Sequence, residues 1–503
     1  MADSKPPRLR RNLSIWQAIG LSVALMAPSM AANINPQVTA STVGRAVPLT
    51  FLLAGIGVLL VGYGFVRMCQ YYQHAGSVYA FVGSTLGPRA GAVSGAALFA
   101  TYTFFGVVTS CAFGILGSDF LNTVGIWSNP PSWAAFLLAA IALAGCLVLT
   151  IIPAKRGTTT LLSIEGATIV LILIVCAIVL VRLIAGNAPS GGGQSFTMKV
   201  FAIEPGTDGS TLFLGIVFAF LSFAGFEASS TLGEETAEPR KNIPRAILGT
   251  AIFGTVFFTV VTAIEVMGFG AGSAGVKAYA GSSSLVGDLG RSFVAGWVGD
   301  VVTLGAAISA FGCCLACMVG ASRLMYAIAR DAGGERGLAS VTREGTPGVA
   351  ATTVACLMGL IIVIDGIAFN AKIEDAFAWS GTIGTLIILV VYVLTTIGAI
   401  RLLFIQRKMP VPMWEIVIPI LALVVLGYTL WRNVLPYPAS NTPAFWFPIV
   451  AGAWLVLCAI AVLAAPSTAA RLGERLAAED GLAGELDEAA AERAPTEART
   501  RTK

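Results

Sequence analysis

The chain carries little charge for its length. Of its 503 residues, 12% are charged and 56% are hydrophobic, and the mean hydropathy is +0.82. Soluble globular proteins carry about 25% charged residues. A soluble chain of this length would also divide into roughly three domains joined by polar linkers. The low charge therefore excludes an ordinary soluble protein and indicates segments buried in a lipid bilayer.

Motifs for nucleotide hydrolysis, metal binding and catalysis are also missing. No Gly-Lys dipeptide occurs, so a primary pump with a Walker A loop is excluded. The single histidine, His74, has no partner motif, which leaves a membrane enzyme only carboxylate chemistry. Cys313, Cys314 and Cys317 cluster without a histidine or second thiol pair that would complete a zinc set. We therefore expect no enzyme, no catalytic residue, no metal, no cofactor and no nucleic-acid partner.

Long apolar runs fill most of the chain instead. A helix needs about 20 apolar residues to cross a bilayer, and we delimit twelve such segments. They span residues 15–43, 47–69, 86–120, 133–152, 159–184, 211–233, 245–268, 292–329, 348–369, 374–400, 412–432 and 444–465. The sequence thus predicts an all-α polytopic membrane protein of twelve transmembrane helices, surrounded by membrane lipids.

Basic residues are distributed unevenly between alternate loops. With the N-terminus in the cytoplasm, 24 of the 31 Lys and Arg residues fall on the cytoplasmic side. Basic short loops stay inside, so we expect a cell-membrane protein with both termini cytoplasmic. The predicted parts are a cytoplasmic N-terminus (1–14), a ten-helix core (15–400), helices 11 and 12 (401–466) and a cytoplasmic tail (467–503). The composition of the tail, rich in Ala, Glu and Arg, predicts disorder.

Two segments contain residues that interrupt a helix. The first reads LMAPSMAANINP at 25–36, where Pro28 removes a backbone donor. The sixth reads FAFLSFAGFEASS at 218–230, where Gly225 weakens the helix ahead of Glu227. Broken helices leave backbone groups free at mid-membrane, where transporters hold solutes and ions. Two breaks that lie five segments apart fit an inverted five-plus-five repeat. Alternatively, the same residues mark only a proline kink in one helix and a tolerated glycine in the other.

Several runs resemble the amino acid–polyamine–organocation permeases. The run FAGFEASSTLGEETAEPRKNIPR at 223–245 resembles their sixth-helix signature. SRLMYAIARD at 322–331, followed by Thr-Pro at 346–347, resembles the end of their eighth helix, and GSVY at 76–79 with LGP at 86–88 the entry to their third. The resemblance implies a LeuT-like fold with an inverted five-plus-five repeat, broken helices 1 and 6, and two further C-terminal helices.

The resemblance also implies a substrate site at the two breaks. The candidate substrate-binding residues are Pro28, Ser29, Met30 and Ala31 from the first break, and Phe220, Ser222, Phe223, Ala224 and Gly225 from the second. Phe220 and Phe223 are also gate candidates, because aromatic rings can close over a solute or stack on a cationic amine; packing explains them equally well. Tyr102 is a weaker aromatic candidate.

The first break departs from the family pattern. Many members carry Gly-Ser-Gly there, and its amides hold the α-carboxylate of the substrate. The matching positions are Pro28, Ser29 and Met30. Proline has no N–H, and the methionine side chain fills space that glycine leaves open. The usual pose of a free amino acid is therefore in doubt, and the substrate stays open.

Glu165 and Glu227 are the candidates for carrying a proton. Each lies about six residues, roughly 9 Å at helical rise, from the cytoplasmic end of its segment. Charges inside a membrane are expensive and usually functional, and burial disfavours the charged carboxylate. Some family members couple transport through a fifth-helix lysine, and Glu165 is its substitute here. Alternatively, Glu165 is a structural carboxylate bonded to amides near a break, and Glu227 caps freed N–H groups.

Other polar groups in the segments have simpler interpretations. Asn33 and Asn35 are costly in lipid unless they find partners. We expect Glu265 and Asp365, near the outer ends of their segments, to be solvated. The resemblance implies that a sodium site would draw on hydroxyls of the eighth helix, yet residues 305–317 offer only Ser309. Sulfur is a weak ligand for a hard cation, so we expect no sodium coupling.

Together these observations predict a permease and not an enzyme: a secondary active transporter of amino acids or related amines that works by alternating access and is coupled to protons as a symporter. Its expected partners are a small-molecule substrate and a proton. Two alternatives stay open: a transporter of another small organic ion on the same fold, and a solute sensor that keeps a transporter fold.

Overall fold

A computed structural model describes residues 14–72, 77–152, 155–189, 193–204, 208–232, 236–331, 337–342 and 345–464. The predicted tail (467–503), all but the last residue of the predicted N-terminus (1–14), and His74 lie outside the described residues. Within them the regular structure is helical, without a β-strand.

Sixteen α-helices are found in the described part of the chain. They are α1 (Ile15–Met26), α2 (Pro28–Val43), α3 (Val47–Tyr71), α4 (Ser77–Leu86), α5 (Pro88–Thr123), α6 (Trp133–Ile151), α7 (Lys155–Ile184), α8 (Ser210–Phe223), α9 (Pro239–Phe269), α10 (Ser273–Ala280), α11 (Leu285–Phe293), α12 (Gly296–Asp331), α13 (Gly348–Ala368), α14 (Ile373–Ile400), α15 (Val417–Val434) and α16 (Trp446–Ala464). Short 3-10 turns occupy Gly44–Ala46, Met198–Phe201, Ala228–Leu232, Gly337–Ala339, Met413–Ile416 and Pro443–Phe445, and a π-helical turn Arg401–Ile405 continues α14.

Eleven helical stretches of the described residues are long and apolar enough to cross a membrane. The first, Ile15–Tyr71, holds 57 residues and includes both of the first two predicted segments. The helices α5 and α12 have 36 residues each. At 1.5 Å per residue each is about 54 Å long, well beyond a hydrocarbon core of about 30 Å. The chain is thus a multi-pass helical membrane protein.

The helices pack in two groups. In the broken-helix group, α3 packs along α9 and α8, α2 along α8, and α1 against α9. In the central group, α5 packs along α12 and α6, and α13 covers α6 and α12. The two groups meet where α2 and α1 contact α12, and α7 lies between α9 and α12. The helices at this junction therefore contact both groups.

The C-terminal helices lie at the periphery. Only 28% of the apolar window of Met413–Val434 and 11% of that of Pro443–Ala464 is buried, against 83% for Pro88–Thr123. Large apolar side chains such as Val424 and Leu457 are consequently exposed. Such surfaces suit contact with acyl chains, because lipid tails are as apolar as the side chains themselves. On one edge, Glu415 at the start of this region accepts hydrogen bonds from Arg67 (2.6 Å) and Tyr63 (2.5 Å) of α3.

Candidate functional site

The first break is one residue long. Ala27 separates α1 from α2 and has φ 44° and ψ 59°, the left-handed region that costs a non-glycine residue roughly 1–2 kcal/mol. Pro28 follows as the first residue of α2, the helical position where a missing N–H does no harm. The predicted interruption at Pro28 is therefore present, as a reversal of backbone hand just before the proline.

The amides after this break are bound by other helices. The Ser29 N–H donates to Oε1 of Glu165 on α7 at 2.9 Å, and the Met30 N–H donates to the Ser309 hydroxyl on α12 at 3.3 Å. The Ala31 N–H returns to the Ala27 carbonyl at 2.9 Å. A carboxylate at a helix N-terminus is favoured by the helix dipole. Glu165, which is 5% exposed, thus occupies the place that an anionic ligand would take.

The second break follows α8 and depends on a glycine. Gly225 has φ 104°, and a Cβ there would lie 2.9 Å from the Leu25 side chain. Only glycine combines this φ with this close approach of the two breaks. Oε2 of Glu227 accepts the Gly225 N–H and the Tyr392 hydroxyl of α14, both at 3.2 Å. Glu227 therefore caps the freed end of the break, and ties it to α14.

Further hydrogen bonds join the breaks to their surroundings. Asn35 on α2 donates to the Ser222 hydroxyl on α8 at 2.8 Å. The Cys313 thiol on α12 donates to the Leu25 carbonyl at 3.0 Å. Both the carbonyl that precedes the first break and the amides that follow it are thus engaged with the central helices or α7.

A cavity of about 20 Å³ lies between the two breaks, α5, α12 and α14. It is lined by Leu25, Met26, Met30, Tyr102, Phe105, Val108, Thr109, Leu221, Ala224, Gly225, Glu227, Cys313, Cys317 and Ile388. The lining is mostly apolar and includes one carboxyl group and no basic side chain. This volume has room for about one water molecule. The cavity as it stands is therefore too small for an organic solute.

Apart from Glu165 and the two phenylalanines, the predicted site residues divide into two sets. Met30, Ala224, Gly225 and Glu227 line the cavity. Pro28, Ser29 and Ala31 are buried in the first turn of α2, and Ser222 is bonded to Asn35, so these four lie beside the cavity without lining it.

The two predicted gate residues face away from the cavity. A Cβ on Gly57 of α3 would lie 2.9 Å from the Phe220 ring, so that ring packs directly on the α3 backbone. The ring of Phe223 packs on Phe258 of α9, with centroids 5.3 Å apart. The neighbouring helix face, with Leu221, lines the cavity instead. Leu221 and Phe105 were not predicted as site residues, because periodicity alone does not tell which face of a buried helix meets a cavity.

Asn33 connects α2 to the short helix α11. Its Oδ1 accepts the Ser284 hydroxyl at 3.0 Å and the amides of Val286 and Gly287 at 3.1 and 3.2 Å. Its Nδ2 donates to the Ser29 carbonyl at 2.9 Å. Asn33 thus finds the partners that its burial requires, and it fixes the start of α11 to α2.

Arg291 then holds α11 to the central group. It binds Asp119 of α5 and Asp288 at 2.8 Å, and Asp300 of α12 at 3.0 Å. Because α11 contacts α2 through Asn33 and α5 and α12 through Arg291, it bridges the two helix groups.

The expectation of a solvated Glu265 is wrong. Glu265 is 0% exposed and accepts a hydrogen bond from the Tyr279 hydroxyl of α10 at 2.9 Å. The loop after α9 forms α10 and α11, which cover the end of α9 and were not predicted from the sequence. Asp365 is only partly exposed, and its Oδ2 is buried.

Comparison with known proteins identifies the class. The family model for amino acid permeases matches residues 16–470. The chain belongs to this family, within the amino acid–polyamine–organocation superfamily, and is a transporter, not an enzyme.

Curated relatives have low sequence identity to this chain but match it over long stretches. The branched-chain amino acid permease BcaP of Lactococcus lactis is 25% identical over 374 residues, which cover 71% of this chain and 77% of the relative. The low-affinity putrescine importer PlaP of Escherichia coli is 24% identical over 258 residues, covering 50% and 53%. The methylthioribose transporter of Bacillus subtilis is 24% identical over 346 residues, covering 66% and 69%.

We predict that Gly225→Ala destabilises the protein by about 1–3 kcal/mol, because the new Cβ meets Leu25 and φ 104° strains an L-residue. Solute binding should weaken as well, because the added Cβ pushes the two breaks apart. The measurement is thermal unfolding of the purified protein. Gly166→Ala is the matched control, because a Cβ there meets nothing within 4 Å. Equal melting temperatures for both variants would contradict the role of Gly225.

Proposed function

We propose that the protein is a secondary active transporter of amino acids or related amines, coupled to protons and working by alternating access. The 57-residue stretch Ile15–Tyr71 then makes two crossings, divided at Gly44–Ala46, which brings the count to twelve. Helices 1 and 6 of this count are the two broken ones, as an inverted five-plus-five repeat requires. Both termini are cytoplasmic and the membrane is the cell membrane. A C-terminal tag accessible only from outside would contradict this orientation.

The observation that carries the proposal is the hydrogen bond between the Ser29 amide and Glu165. In its charged form the Glu165 carboxylate holds the first turn of α2 against α7. A proton removes that charge and weakens the acceptor, which frees the amide. The family resemblance implies that amides at this break hold the α-carboxylate of a substrate. Proton and amino acid would then bind together, because protonation of Glu165 frees the Ser29 amide for the α-carboxylate of the substrate.

A substrate that lacks a carboxylate fits the same site differently. The cavity lining includes Glu227 and no basic side chain, which suits an amine with an apolar body. Such an amine leaves the Ser29 amide with Glu165 and needs no displacement. An amino acid therefore displaces Glu165 from the Ser29 amide, whereas an amine does not. Both substrate classes are part of the proposal.

Glu165→Gln keeps the shape of the side chain but fixes it in a neutral form. We predict that this variant loses accumulation driven by a pH gradient and retains substrate binding and one-for-one exchange. The measurement is a pair of fluxes in liposomes, one with and one without an imposed pH gradient. Glu227→Gln is the comparison: it should weaken binding or folding, because Glu227 caps Gly225 and accepts from Tyr392. If Glu165→Gln concentrates substrate like the parent, Glu165 has only a structural role.

Sodium is not part of the proposed coupling. The Leu25 carbonyl accepts the Cys313 thiol, and the Ser309 hydroxyl accepts the Met30 amide, so oxygens near the first break are already engaged. We predict that replacing sodium with choline leaves proteoliposome uptake unchanged at a fixed pH gradient. Collapse of uptake under that replacement would show sodium coupling.

A further inference from the structure

A second cavity, of about 290 Å³, lies away from the two breaks, where α13 ends and α14 and α16 begin. Its volume is close to the lower end of the range for small-molecule sites. Five aromatic side chains contribute to its walls: Phe104, Phe369, Trp379, Trp446 and Phe447. The rings of Phe369 and Trp379 meet edge to face with centroids 6.1 Å apart. The cavity thus offers several aromatic surfaces to one small guest.

Asp365 is the one acidic residue in this aromatic lining. Its Oδ2 is buried and has no hydrogen-bond partner in the described part of the chain. Ion pairs found among those residues do not include Asp365. A buried carboxylate oxygen without a partner is costly, and native structures rarely leave one unexplained. Asp365 therefore has room for a hydrogen-bond donor that the described residues do not supply.

We propose that this cavity is a binding site for a free organic ammonium ion with an apolar body. The ammonium group donates to Asp365, and the aromatic rings attract the cation and cover the apolar part. This site is separate from the cavity between the breaks and does not depend on the function proposed for that cavity.

The lining also distinguishes a free amine from a phospholipid head group. An ethanolamine head group carries a phosphate beside its ammonium, and that phosphate needs donors. Neither lysine nor arginine lines the cavity. A phospholipid would therefore place its phosphate without a basic partner, whereas a free ammonium ion leaves no charge unmatched.

The test uses the full-length protein labelled with 5-fluorotryptophan in phosphatidylglycerol nanodiscs. Fluorine NMR resonances of Trp379 and Trp446 are assigned with Trp→Phe variants. Phenethylammonium is titrated in parallel with 3-phenylpropan-1-ol, a neutral molecule of similar shape. We expect both resonances to shift saturably with the ammonium ion and not with the alcohol. These local signals separate this site from binding at the breaks.

Three variants sharpen the result. Asp365→Asn should raise the half-saturating concentration about tenfold or more, since it removes a charged acceptor. Glu374→Gln removes an exposed carboxyl group in the first turn of α14, outside the lining of this cavity, and should change nothing. Ile361→Phe fills the cavity while keeping Asp365, so it should also abolish the shift, and it covers the case in which Asp365→Asn does not fold.

Two outcomes would overturn the proposal. One is an absent shift, or a shift that Asp365→Asn leaves intact, which would mean that Asp365 recognises no amine. The other is the same shift on adding phosphatidylethanolamine to the nanodiscs without any amine, which would identify a lipid as the occupant.

Discussion

The hydrogen bond from the Ser29 amide to Glu165 is the constraint on which the arrangement of the broken helices depends. A helix that begins in the middle of a membrane leaves backbone donors without water, and each must find a partner. Here a carboxylate from α7 and a hydroxyl from α12 supply them. The same contacts place α2 against α7 and α12. The hydrogen bonds that satisfy the backbone donors thus also hold the broken helix against its neighbours.

The glycine at the second break serves the same purpose from the opposite side. Gly225 brings the end of α8 against Leu25, because the glycine has no side chain to hold the two breaks apart. Glu227 then satisfies the amide that this turn exposes. The two acidic residues act in parallel, since each compensates one interrupted helix. Yet they differ in their partners: Glu165 reaches across from another helix, whereas Glu227 lies within its own break and also accepts from Tyr392.

The breaks could be predicted from local chemistry in the sequence, whereas the directions of the side chains could not. Pro28 and Gly225 mark interruptions because proline lacks an N–H and glycine tolerates positive φ, and neither argument needs a tertiary structure. Phe220 and Leu221 are adjacent and both apolar, and only packing decides that one meets α3 and the other the cavity. Asn33 accepts a hydrogen bond from Ser284, which lies 251 residues further along the chain. Sequence patterns carry no information over that separation. The burial of Glu265 followed from α10, a short helix in a loop with no strong apolar run.

The bridge made by α11 has a kinetic consequence. Asn33 makes four hydrogen bonds, three of them to the beginning of α11 or the residue before it, and α11 is itself fixed to α5 and α12 by Arg291. If α11 stays with α5 and α12, separating the two helix groups on this side breaks those three hydrogen bonds together. At about 1 kcal/mol each, they add about 3 kcal/mol to the barrier, which slows opening roughly a hundredfold. The lifetime of the closed conformation is therefore set partly by a single asparagine that need never touch the solute.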